Sequence, residues 1–191
     1  MAKKESTFGN MVMTLFIVTA VAALALGGVY NVTKEPIAKA RKLKIQKAIA
    51  EVLPQFDTVM ELKVMPTDGK DSLTFYHALK DGEPVGTAVR TYTDKGFGGR
   101  VWIMVGFTDG HIIHGTSVLE HKETPGLGDK MDPRKSPWSE QFKGVDLQNF
   151  DLRVKKDGGD VDAITAATIS SRAFCDATKR AWEALQQSEG R

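Results

Sequence analysis

The residues best placed to do chemistry lie in one run, Asp162-Ala163-Ile164-Thr165-Ala166-Ala167-Thr168-Ile169-Ser170-Ser171. Two threonine hydroxyls flank an Ala-Ala pair where an apolar helical pattern is about to begin. A helix start offers amide N–H groups without intrahelical acceptors and a positive partial charge, which together suit a phosphate. Small side chains allow such a group to approach the backbone. The same residues also suit a simple helix cap made by Thr165, Thr168 or Ser170. Two glycine-bearing segments precede the run: Gly96-Phe97-Gly98-Gly99 and Glu123-Thr124-Pro125-Gly126-Leu127-Gly128. Pro125-Gly126 suits a tight turn, and Gly128 permits close approach of backbone to a flat ligand.

Taken in order, these three segments resemble the FMN-binding domain of membrane redox complexes. They are most similar to the G subunit of Rnf-type ferredoxin:NAD⁺ oxidoreductases and are related to the C subunit of sodium-pumping NADH:quinone oxidoreductases. The resemblance covers nearly the whole chain. It implies that Thr168 is esterified to the FMN phosphate by a separate flavin transferase that uses FAD and Mg²⁺. An unaided threonine hydroxyl is a poor nucleophile, so an outside enzyme makes chemical sense. Asp162 matches an acidic position of the acceptor motif. Thr165, Ala166, Ala167 and Ser170 complete the expected phosphate end, with Ser171 beside them. Glu123, Thr124, Leu127 and Gly128 are expected at the ring, with Gly98 and Gly99 shaping a further wall. One departure stands out: the family pattern has glycine where this chain has Ala166, and a positive φ there would strain alanine.

Other chemistries find less support. His111, His114 and His121 lie close in sequence to Glu120 and Glu123, but the odd spacing of the first two puts them on opposite faces of a strand, and no metal site is expected. No Cys cluster is available for iron–sulfur ligation, and no Gly-x-Gly-x-x-Gly unit follows a strand. Cys175 is the single cysteine; no disulfide can form within the chain, and its setting suits a small buried apolar group. The net charge is +2, with no basic run interleaved with aromatics, so nucleic acid is not an expected partner.

These groups require elements to position them. Residues 1–10 read as a polar tail. Residues 11–30 are apolar and uncharged, and about 20 helical residues span about 30 Å, enough for a bilayer core. Residues 34–54 read as a juxtamembrane helix, with Pro36 in its first turn and Ile37, Ile45, Ile49, Val52 and Leu53 at helical spacing. From residue 55 the pattern turns to strands: 62–64, 73–79, 84–92, 101–107 and 112–119, with Asp81-Gly82 and Asp109-Gly110 as turns. A short helix is expected over 136–142, an edge strand over 152–154, and a terminal helix over 169–187. The fold class is therefore α+β: a transmembrane helix followed by one FMN-binding domain, residues 55–191, with an antiparallel sheet flanked by helices.

The expected role is that of an electron-carrier subunit within an ion-translocating complex rather than a complete enzyme. Other integral-membrane subunits are its partners, and the flavin transferase meets it during maturation. A flavin-bearing membrane redox sensor and a cofactor-free anchored module are the alternatives from other classes. The membrane is of the bacterial inner type. Lys3 and Lys4 precede the apolar helix, while Lys34, Lys39, Arg41, Lys42 and Lys44 follow it. Charge alone would place the domain in the cytoplasm, whereas the resemblance implies the extracytoplasmic side.

Overall fold

A computed structural model describes residues 7–66, 71–109 and 111–189. Lys3, Lys4, most of the expected tail and Gly110 of the second expected turn lie outside the described residues. The chain opens with α1 (Phe8–Val52), a single helix that carries Pro36 inside it. No interruption separates the expected membrane and juxtamembrane segments. The described residues up to Leu43 form a unit of their own. Within it α1 is long and apolar enough to cross a membrane. Its threonine hydroxyls donate to carbonyls one turn back, Thr14 to Asn10 at 2.7 Å, Thr19 to Leu15 at 2.9 Å and Thr33 to Val29 at 2.8 Å. Hydroxyls satisfied in this way need no external partner.

The second unit begins at Lys44 and contains a five-stranded antiparallel sheet in the order β1-β2-β3-β4-β5. Its strands are β1 (Thr58–Val64), β2 (Leu73–Lys80), β3 (Glu83–Gly96), β4 (Gly99–Thr108) and β5 (Ile112–Glu120). Asp81 and Gly82 both have positive φ, 52° and 86°, the backbone twist that matches a two-residue hairpin. Three 3₁₀ turns follow, Gly128–Met131, Pro137–Phe142 and Lys155–Asp157, and then α2 (Thr168–Glu189). The segment read as an edge strand at 152–154 forms only a single bridge, Val154 to Val161. A sharp turn at Gly158 ends any longer pairing.

Alternation along the strands divides the core. Val101, Ile103, Val105 and Phe107 turn to one side and pack with Phe174, Ala177, Ala181 and Leu185 of α2. Met104, Ala88 and Ala78 turn to the other and pack with Ala48, Ile49, Val52 and Leu53. The last turns of α1 are thus a layer of the domain itself, although the sequence assigns them to a juxtamembrane segment ending before residue 55. Small residues make this approach possible. A Cβ at Gly106 would stand 2.6 Å from the Val52 carbonyl carbon, and one at Gly115 would stand 3.1 Å from Val52 Cα. Lys44 Nζ donates to the Leu119 carbonyl, and Ser117 Oγ donates to Glu51 at 2.9 Å.

Candidate functional site

The turn before α2 is unusual. The Ala167 amide donates to the Ile164 carbonyl at 3.0 Å, closing a β-turn over residues 164–167. Ala166, its third residue, has φ +60°. Turns with positive φ at that position favour glycine. The Ala166 strain anticipated from the sequence is therefore present. Helix α2 opens at Thr168. The first amide to bond back is that of Ser171, onto Ala167 at 3.0 Å, which leaves the amides of Thr168, Ile169 and Ser170 at the electropositive end of the helix.

The two serines of this first turn point inward. Ser170 Oγ donates to Glu123 Oε2 at 2.5 Å. Ser171, fully buried, accepts from the Ile164 amide at 2.9 Å and donates to the Ala167 carbonyl at 3.1 Å. Thr165 and Thr168 hydroxyls have no hydrogen bond to other described residues. Of the four hydroxyls expected near a phosphate, the two threonines are the ones left available.

Glu123 joins three parts of the chain. It is 5 % exposed, and its Oε1 accepts from the Gly98 amide at 3.0 Å while Oε2 holds Ser170. Its own amide donates to His121 Nδ1 at 3.1 Å. A Cβ at Gly128 would fall 2.6 Å from Oε2, and one at Gly96 would fall 2.6 Å from Oε1. The glycines of both motifs therefore admit this carboxylate, a role the sequence did not suggest; ligand approach was the expected reason for Gly128.

Around these contacts lies a cavity of about 320 Å³ walled by Phe97, Glu123, Thr124, Leu127, Gly128 and residues 166–170. That volume and the mix of apolar wall with a few polar groups suit a flat organic cofactor. Phe97, Leu127 and Ile169 are its large apolar side chains, and Phe97 is 69 % exposed at the tip of the β3–β4 hairpin. The structure thus brings together Glu123, Thr124, Leu127, Gly128, Ala166, Ala167, Thr168 and Ser170. Thr165, Asp162, Gly98 and Gly99 are not in the cavity wall. Asp162 is exposed and pairs with Lys155 at 2.8 Å, while its carbonyl accepts from Trp138 Nε1 at 2.6 Å.

Two residues escaped the sequence reading. Ile169, in the first turn of α2, sits on the cavity wall. Asp129, next to Gly128, is buried, and its Oδ1 has no hydrogen-bond partner among the described residues. Such a group is costly unless a donor reaches it. Nearby Asp132 is also buried; burial would raise its carboxyl, but hydrogen bonds and charge from Arg134 outweigh this and hold it below the usual range. Among the described residues, no three His, Cys, Asp or Glu side chains gather as a metal site would require.

The sequence matches the FMN-binding domain family over residues 96–183. It is 33 % identical to the G subunit of the ion-translocating oxidoreductase complex of Aliivibrio fischeri (strain ATCC 700601 / ES114), over 90 % of this chain and 86 % of that protein. The protein of the same name from Escherichia coli (strain K12) is 34 % identical over 88 % and 86 %. Among solved structures, Shewanella oneidensis NqrC aligns over 73 % of each chain with 22 % identity and a TM-score of 0.46.

Proposed function

This chain belongs to the family of G subunits of ion-translocating oxidoreductase complexes, and from that membership we propose that it is their membrane-anchored electron carrier, with FMN held through Thr168. The observation that carries the proposal is the free Thr168 hydroxyl on the wall of the cavity, beside the amide-rich start of α2. When bound, FMN supplies one- and two-electron transfer at its ring. This chain's residues hold and orient it. Leu127, Phe97 and Ile169 would offer apolar contact and Thr124 a polar one, and the amides of residues 168–170 would be donors for the phosphate.

In the attachment step, Thr168 Oγ would attack the phosphorus on the flavin side of the FAD diphosphate. The Oγ–P bond would form, the P–O bond to the AMP portion would break, AMP would depart, and the hydroxyl proton would pass to the departing phosphate or to solvent. A flavin transferase with Mg²⁺ catalyses this exchange. The exposed Asp162 carboxylate is available for that enzyme to recognise. The ester keeps the cofactor from escaping an open cavity. The other members of the complex are the electron donor and acceptor.

We place the flavin domain on the extracytoplasmic side of a bacterial-type inner membrane, with α1 as the anchor. A protease-protection assay on oriented vesicles tests this placement: cleavage of the domain from the cytoplasmic face would reverse it. Attachment is tested by co-expression with a flavin transferase. Wild type should give a fluorescent band on a denaturing gel and gain one FMN less one water by intact mass. Thr168→Val should show neither. An unmodified wild type in the presence of active transferase would refute the covalent reading.

A further inference from the structure

Resting on the reading of Thr168 as the attachment point, we propose that Ser171 is a positioning residue of the acceptor loop, stapling the 164–167 turn to α2 so that Thr168 is aimed at the incoming phosphorus. Ser171 is sealed from solvent and both roles of its hydroxyl are used: it accepts from the Ile164 amide at 2.9 Å and donates to the Ala167 carbonyl at 3.1 Å. Its amide also binds Ala167 at 3.0 Å. One residue of the helix therefore grips the first and last residues of the turn. The turn needs such a grip in this chain, because Ala166 sits at φ +60°. An L-residue in that region persists only where the surroundings over-determine it. Without the Ser171 hydroxyl, the Ile164 amide is left buried without an acceptor and the turn can relax to a negative φ at Ala166. Thr168 follows directly after the turn, so its hydroxyl would move.

Ser171 touches neither phosphate nor ring; the bonds made and broken in the transfer are unchanged. Its effect lies in orientation, which is strongly felt in reactions that need aligned atoms. The control is Thr178, also fully buried on α2, whose hydroxyl donates to the Phe174 carbonyl at 2.9 Å, remote in sequence from the loop. Thr178→Val loses a buried hydroxyl bond without touching the turn.

The experiment uses the full chain in detergent with purified flavin transferase, FAD and Mg²⁺, and follows initial rates of flavin incorporation against acceptor concentration, alongside melting curves. Ser171→Ala should lower the maximal rate by about tenfold or more, with little change in the half-saturating concentration. Thr178→Val should keep the wild-type rate. Adding Ala166→Gly to Ser171→Ala should recover part of the loss, because the turn then needs less holding. A wild-type rate in Ser171→Ala, or an equal loss in Thr178→Val, would overturn the proposal. An unmodified wild type would instead overturn the Thr168 reading, and this proposal with it. Amide exchange of the unmutated protein gives an independent check: the Ile164 amide should be protected like the amides of the α2 core, and rapid exchange there would overturn the staple even if Ser171→Ala fails to fold.

Discussion

Replacing Ala166 by glycine should stabilise the protein, against the usual direction for this substitution. At φ +60° the alanine Cβ crowds the following carbonyl, at a cost of about 1–2 kcal/mol. Glycine removes that cost but adds about 0.4–1 kcal/mol of unfolded-chain entropy. The balance lies between about 0 and 1.6 kcal/mol, and its midpoint of about 0.8 kcal/mol is equivalent to a rise of about 2–3 °C in melting temperature for a chain of this size. Ala166 is exposed, so the lost methyl removes little packing. The assay is thermal melting of the full chain in detergent, followed by tryptophan fluorescence, with and without covalent flavin. A loss of about 1 kcal/mol, the ordinary cost of alanine to glycine, would refute the positive φ and with it the inference that this turn is held under strain.

Three further outcomes follow from the same structure. Burial pushes the Cys175 thiol up to about 12, so an alkylating reagent at pH 8 should leave the folded protein unmodified and label it fully in denaturant; rapid native labelling would contradict the packing of α2. A soluble piece beginning at residue 44 should fold cooperatively, whereas one beginning at residue 55 should lose the contacts of Ala48, Ile49, Val52 and Leu53 and expose the sheet. Equal thermal stability of the two would show that these residues are not a layer of the core. Arg134 holds the Asp132 carboxyl below its usual range. A carboxyl lowered in the folded state contributes stability above its unfolded pKa, near 3.9, and loses it as pH falls through the folded value. Arg134→Gln should therefore reduce stability at pH 6 and narrow the difference from wild type below about pH 3; a difference independent of pH would contradict the assignment.

Much of the sheet was legible because its strands are short runs rich in β-branched and aromatic residues bounded by turn signals, even though β2 and β4 are buried on both faces. Leu73, Phe75 and His77 mark one face of β2, and Asp81-Gly82 marks the turn that follows. The motifs also named residues that the fold brings together: Glu123 and Leu127 lie far from Thr168 in sequence and share one cavity wall with it. What stayed hidden depends on contacts across the fold. Ser170 reads as a phosphate donor until Glu123, 47 residues away, claims its hydroxyl. Gly128 reads as room for a ligand, whereas a side chain there would meet Glu123. The helical period of residues 34–54 could not tell lipid-side from sheet-side burial, so the packing of Ala48, Ile49, Val52 and Leu53 against the sheet gave no signal. Asp129 gave no signal, since nothing in a lone acidic residue after glycine shows that it will be buried.

The central claim concerns one oxygen atom, and one measurement addresses it directly. Trypsin should release Asp157–Arg172 as a single peptide containing both threonines and both serines of the loop. Tandem mass spectrometry of this peptide, from protein matured with a flavin transferase, locates any added FMN by fragment masses on either side of each hydroxyl. The whole addition should fall on Thr168, with Thr165, Ser170 and Ser171 unmodified. FMN on Thr165, or a fully unmodified peptide from protein exposed to an active transferase, would contradict the claim.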